Sequence, residues 1–157
     1  DYDPHTGAVQ VKCTNQGLRD NSTWARGQAW CIYGFTMAYR YSRLPNHLAA
    51  AIKCAEFWLQ RTTVEGEPVD GVPLWDFDWP APQTLDFRDS SAAAIAASAF
   101  VELAQRSRKT RYEVAAQTIF RSLNEHYIGD FSETEGVLLH GVDANPQWSP
   151  DNFNVRH

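Results

Sequence analysis

A guanidinium and an indole one helical turn apart are the most chemically pointed feature of this sequence. Ser22, Arg26 and Trp30 recur at i, i+4 and i+8, so in a helix they share one side near its N-terminus. Such a pair suits a carboxylated sugar. The guanidinium fork can hold a carboxylate through two parallel bonds, and the indole can pack against an apolar sugar face. The free amides of a helix start favour an anion further. The same residues also suit a plainer arrangement, in which Arg26 pairs with Asp20 or another acid and Trp30 is core.

A second dense stretch is Val72-Pro-Leu-Trp-Asp-Phe-Asp-Trp-Pro80, where acids and aromatic rings alternate. If extended, Asp76 and Asp78 share one face and Trp75, Phe77 and Trp79 the other. Paired carboxylates among aromatics fit glycoside hydrolysis or a divalent-cation site. They equally fit a loop that caps helix ends and covers core. Asp86, Arg88 and Asp89 read as a salt bridge followed by a helix cap. His140 either lines a pocket or is a satisfied structural histidine. Phosphate-loop glycine patterns, HExxH and GxSxG are absent, and the histidines show no metal-ligand spacing.

The elements that must position these residues are helical. Helix one is expected from Thr23 to Ser42, capped by Asn21 or Ser22. Its apolar stripe is Trp30, Tyr33, Met37 and Tyr41, and Gly27 and Gly34 on one face permit close approach of a backbone. Pro45 ends it. Helix two runs from Asn46 to about Thr62, with Leu48, Ile52, Ala55 and Leu59 at helical spacings. From Val64 to Arg88 the period breaks, with Pro68, Pro73, Pro80 and Pro82 in one long loop. Loops of that length inside a compact domain usually carry function. Helix three, rich in alanine, starts at Asp89 or Ser90 and ends near Ser107. Helix four opens on a capping box, Thr110-Arg-Tyr-Glu113, buries Tyr112, Ala116, Ile119, Leu123 and Tyr127, and stops at Gly129. Helix–helix, loop, helix–helix points to a toroid or solenoid of helical hairpins. Two hairpins make a thin core, so partner helices are expected outside this chain.

With 157 residues, 43% hydrophobic and 21% charged, the chain is one domain or a piece of one, and disorder throughout is excluded. No apolar run is long enough to span a bilayer. The net charge of −5 argues against nucleic acid as a partner. The basic cluster Arg106 to Arg111 reads as a solvated loop or a phosphate contact. Cys13, Cys31 and Cys54 make no disulfide framework. Cys31 and Cys54 fall in helices as small buried hydrophobes, which favours a reducing, cytoplasmic setting. Asn21-Ser-Thr23 is formally a glycosylation sequon at a helix start.

Four ordered motifs, Asp20-Asn-Ser-Thr-Trp-Ala-Arg-Gly-Gln-Ala-Trp30, Trp75-Asp-Phe-Asp78, Arg88-Asp-Ser-Ser-Ala-Ala-Ala-Ile-Ala-Ala-Ser98 and Leu138-Leu-His-Gly141, closely resemble the unsaturated glucuronyl hydrolases. The unsaturated rhamnogalacturonyl hydrolases are similar too, but their motif typically reads Arg-Gly-Asn where this chain has Arg26-Gly-Gln28. The resemblance implies an all-α fold, part of an (α/α)6 barrel. It implies removal of a 4,5-unsaturated glucuronic acid from the non-reducing end of oligosaccharides released by lyases. The reaction hydrates the C4=C5 double bond and uses no metal and no other cofactor.

By the same likeness Arg26 and Trp30 bind substrate, with Thr14 and Gln16 completing the pocket, while Asp76, Asp78 and Asp89 anchor loops and helix caps. An acidic protein needs such a local arginine to draw in an acidic sugar. The likeness departs at Asn15, where the family usually has histidine. The family's catalytic aspartates are expected before residue 1, so no residue here is assigned catalysis. Residues 142–157 do not match the barrel-closing segment and are expected to be irregular. The chain is expected to be a single-domain fragment, inactive alone, its partners an unsaturated uronyl oligosaccharide and the remaining barrel helices. The other readings are a rhamnogalacturonyl hydrolase acting on pectin fragments and a non-catalytic helical-repeat interaction module.

Overall fold

The computed structural model describes residues 1–64, 67, 68, 70–80, 87–132 and 136–142. Four helices dominate: α1 (Ala25–Ser42), α2 (Pro45–Thr62), α3 (Ser90–Ser107) and α4 (Thr110–His126). A two-residue antiparallel pair, β1 (Thr63–Val64) with β2 (Glu67–Pro68), follows α2 and was not evident in the sequence pattern. The all-α expectation otherwise holds.

The two helical hairpins are built alike. Each first helix ends on an arginine in left-handed backbone, Arg43 (φ 58°) and Arg108 (φ 57°). A single extended residue, Leu44 or Lys109, then leads into the next helix. Pro45, expected to end α1, instead occupies the first turn of α2, where its missing N–H has no helical acceptor to lose. The capping box expected at Thr110 does not form, because the helix starts one residue earlier in role: Lys109 is the cap residue and Thr110 already helical.

α1 packs on α3, α2 on α1 and α4 on α3. The buried residues of α1 are Ala25, Ala29, Ile32 and Thr36, small apart from Ile32. α3 answers with Ala92, Ala93, Ala96, Ala97 and Ala99, and alanine lets two backbones approach closely. The apolar stripe of α1 is open at its two ends. Trp30 is 52% and Tyr41 77% exposed, while Tyr33 and Met37 are half-buried. Gly34 lies on the same open side, and Gly27 is covered by the Trp24 ring, 3.2 Å from where a Cβ would stand. Cys31 is likewise exposed and Cys54 half-buried, not the two buried thiols expected.

The larger core sits between the hairpins. Phe77 of the long loop, Trp58 of α2, Phe100 of α3 and Tyr112 of α4 touch in that order, with ring centroids 5.3, 6.4 and 5.9 Å apart. Burying each such side chain contributes about 1.5–3 kcal/mol. The α4 stripe of Tyr112, Ala116, Ile119, Leu123 and Tyr127 is buried as expected. In α2 the inward residues are Ala51, Ala55 and Trp58, with Leu48, Ile52 and Leu59 only half-buried. Arg40 of α1 grips Glu102 of α3 through two nitrogens. Glu56 of α2 accepts from Tyr112 and pairs with Arg111 of α4.

What aligns the hairpins is the long loop. Trp75 O accepts from Ala25 N (2.8 Å) and Phe77 N donates to Thr23 O (2.9 Å) on one side. On the other, Trp75 N donates to Phe87 O and Pro73 O accepts from Asp89 N. Residues 73–77 therefore lie between the chain entering α1 and the chain entering α3, and both helices start from one short ribbon. Gly71, at φ 74°, lets this loop pass α4: a Cβ there would stand 2.6 Å from Ile119 Cγ1. Asp70 pins the same turn by accepting from Ser122 and Tyr127 and pairing with Arg88 at 3.4 Å. Gly129, expected as the helix stop, lies beyond it. α4 ends at His126, and Gly129 N donates to Val137 O within an antiparallel contact between residues 128 and 138.

Candidate functional site

The ribbon places the N-termini of α1 and α3 side by side, and Arg26 lies there. Its Nη2 donates to Asp89 Oδ2 at 3.2 Å and Oδ1 at 3.4 Å, and also to the Val142 carbonyl. The Trp24 ring lies 5.6 Å from the guanidinium carbon, a cation–π contact. The Arg26 side chain keeps 18% exposure while Asp89 is fully buried. Of the acids left open by the sequence, Arg26 thus takes Asp89 and not Asp20. Asp20 instead accepts from Thr14 N at 2.9 Å.

Asp89 is the helix cap expected of it. Its Oδ1 accepts from Ser91 N and Ala92 N, each at 3.1 Å, and from Ser91 Oγ at 2.6 Å. Ser90 joins the cap to the C-terminal stretch, its amide donating to His140 O and its hydroxyl to Leu139 O. His140 holds a left-handed backbone (φ 61°) and meets the Tyr127 ring edge-on at 5.9 Å. Burial and the neighbouring Asp70 carboxylate push the Tyr127 hydroxyl well above its ordinary pKa.

Trp30 stands one turn beyond Arg26, half exposed, its ring edge-on to Tyr33 at 6.3 Å. Thr14 and Gln16 lie in the loop before α1, both half-buried. The Thr14 hydroxyl accepts from Gly17 N at 2.9 Å, so it shapes that turn. The expected cap at Asn21 or Ser22 is replaced by another role: the cap position is Trp24, and Ser22 Oγ donates to Asp76 Oδ2 at 2.7 Å.

Asp76 is the residue that ties these parts together. Fully buried, it accepts from Leu18 N (2.9 Å) and Ser22 Oγ at one oxygen and from Asp78 N (3.0 Å) at the other. Asp78 accepts from Thr23 N and from Arg61 of α2. The chain turns at Phe77 and Asp78, so the strict alternation of faces stops there. Both carboxylates thus fasten the Thr14–Thr23 loop to the ribbon, the anchoring role, and neither is aimed as a glycosidase pair. Asp86 and residues 143–157 lie outside the described residues. Among the described residues no cluster of His, Cys, Asp or Glu is arranged to hold a metal ion, and no helix is long and apolar enough to cross a membrane. A cavity of about 460 Å³ opens at the far ends of α3 and α4, between Val101, Arg108, Thr110 and Phe120, at the opposite end of α3 from Asp89.

Helical hairpins aligned by a shared ribbon, with small residues between first helices and an aromatic face left open, define a portion of an α/α barrel. Over nearly all of its own length the chain is a homologue of the unsaturated glucuronyl hydrolases. It is 45% identical to the unsaturated glucuronyl hydrolase of Formosa agariphila over 128 residues, which is 81% of this chain and 31% of that protein. It superposes on a UGL structure with dGlcA-Glc-Rha-Glc at a TM-score of 0.82 and 34% identity, covering 98% of this chain and 40% of the other. It also superposes on an unsaturated glucuronyl hydrolase variant from Streptococcus agalactiae complexed with dGlcA-GalNAc6S, at a TM-score of 0.73 and 30% identity, covering 98% and 40%. The chain therefore spans well under half the length of the relatives it matches. No family model matches it.

Proposed function

We propose that this chain is the part of an unsaturated glucuronyl hydrolase that holds the carboxylated sugar. The enzyme removes a 4,5-unsaturated glucuronyl residue from the non-reducing end of an oligosaccharide. The observation that carries this reading is the open face of α1: a half-exposed indole, Trp30, stands one turn from the Arg26 guanidinium at the helix start. Arg26 binds the sugar carboxylate and Trp30 stacks on the ring, while Thr14 and Gln16 border the site from the loop that Asp76 holds.

In the reaction a proton adds to C4, the oxygen of water adds to C5 with loss of its own proton, and the C4=C5 bond becomes single. The hemiketal at C5 then opens and the glycosidic bond is released. A general acid with a raised pKa must supply the proton. This chain supplies binding and orientation, and the proton donor is expected in the remainder of the enzyme. The test is turnover of an unsaturated glucuronyl disaccharide by the full-length protein, followed as loss of the ultraviolet absorbance of the conjugated double bond. Turnover that falls when Arg26 is replaced supports the reading. A full-length protein that leaves this substrate intact while cleaving an unsaturated rhamnogalacturonyl disaccharide refutes it.

A further inference from the structure

We infer that Asp89 is a positioning residue for substrate binding: from the buried cap of α3 it fixes the Arg26 guanidinium for the sugar carboxylate. The inference rests on the role of Arg26 proposed above. Asp89 is itself held from every side. Its backbone N–H donates to Pro73 O at 2.9 Å in the ribbon. Its Oδ1 is taken by the two cap amides and the Ser91 hydroxyl. Oδ2 is the oxygen nearer to Arg26. A fully buried carboxylate needs a countercharge, and Arg26 is the cation beside it.

The contacts with Asp89 and with the Val142 carbonyl all converge on one nitrogen, Nη2. The buried cap of α3 thus takes part in placing the guanidinium even though the side chain belongs to α1. An arginine ordered beforehand does not lose that rotamer freedom when ligand arrives. A cap residue alone could be Ser, Thr or Asn as well as Asp. The negative charge is what the cap does not need and Arg26 does.

The experiment uses the full-length enzyme with Asp89→Asn and Asp89→Ser, both competent caps without the charge. The unsaturated glucuronyl disaccharide and its carboxyl methyl ester are compared. KM for the acid should rise about five- to tenfold, with kcat within twofold of wild type and the ester's KM unmoved. An unchanged or lowered KM for the acid overturns the inference, as does an equal rise for the ester or loss of the fold in both variants. Wild-type enzyme that fails to turn over the disaccharide would sink the proposed function instead, which keeps the two failures apart.

Discussion

Replacing Asp76 should loosen the whole approach to α1. Its carboxylate is fully buried and accepts three hydrogen bonds, from Leu18 N, Ser22 Oγ and Asp78 N, at 2.7–3.0 Å. A bond to a charged acceptor contributes about 1.5–3 kcal/mol net. The donors lie in half-buried segments where water can replace part of what is lost, so the lower end of that range applies. Asp76→Ala should then destabilise by about 3–5 kcal/mol. Asp76→Asn can keep Leu18 and Ser22 on its carbonyl oxygen but must point its NH2 at the Asp78 N–H. It should cost about half as much. Urea unfolding of the full-length protein, followed by helical circular dichroism, measures both. Hydrogen exchange at Leu18 and Phe77 should quicken in the same variants, since those amides are held by Asp76 and by the ribbon it fastens. If Asp76→Ala stays within about 1 kcal/mol of wild type, the anchoring role is wrong.

Three other consequences are as direct. Gly71→Ala puts a Cβ 2.6 Å from Ile119 Cγ1 at a φ of 74°, so it should destabilise by about 2–4 kcal/mol in the same unfolding assay. Trp30→Ala should cost under about 1 kcal/mol of stability, because the ring is half exposed, yet raise KM for the unsaturated disaccharide roughly tenfold. The Cys31 thiol is drawn down to about 6 by the hydrogen bond from Cys54, whose own thiol is pushed up in return. Alkylation of Cys31 should therefore be near its plateau at neutral pH, and Cys54→Ala should move the profile up toward the ordinary thiol value of about 8.5; an unmoved profile would show that the thiols do not interact.

The sequence made α3 and α4 readable because their periodic apolar residues are the ones buried, and Asp89 is a cap by residue type and position. α1 misled for a physical reason. Its largest residues, Trp30 and Tyr41, look like core, but its buried residues are Ala25, Ala29, Ile32 and Thr36, of which only Ile32 carries a strong hydrophobic signal. Small residues win there because two helices starting from one ribbon must pack closely. The cap at Ser22 failed because local propensity yielded to a tertiary partner, Asp76, fifty-four residues away, and the box at Thr110 failed because Thr110 is already helical. The i, i+4 relation of Arg26 and Trp30 was legible at once. The partner of Arg26 was not, because Asp89 lies sixty-three residues further along and only the ribbon brings the two helix starts together. The nature of Asp76 and Asp78 was decided the same way, by donors from the Leu18–Thr23 loop that no local pattern announces.

The central claim is that Arg26 recognises the carboxylate of the sugar. A cycle with the full-length enzyme tests it: wild type and Arg26→Gln, each with the unsaturated glucuronyl disaccharide and with its carboxyl methyl ester. The account predicts that wild type favours the acid by at least about tenfold in kcat/KM, and that Arg26→Gln, confirmed folded by circular dichroism, loses that preference. A preference for the acid that survives the substitution undiminished would contradict it.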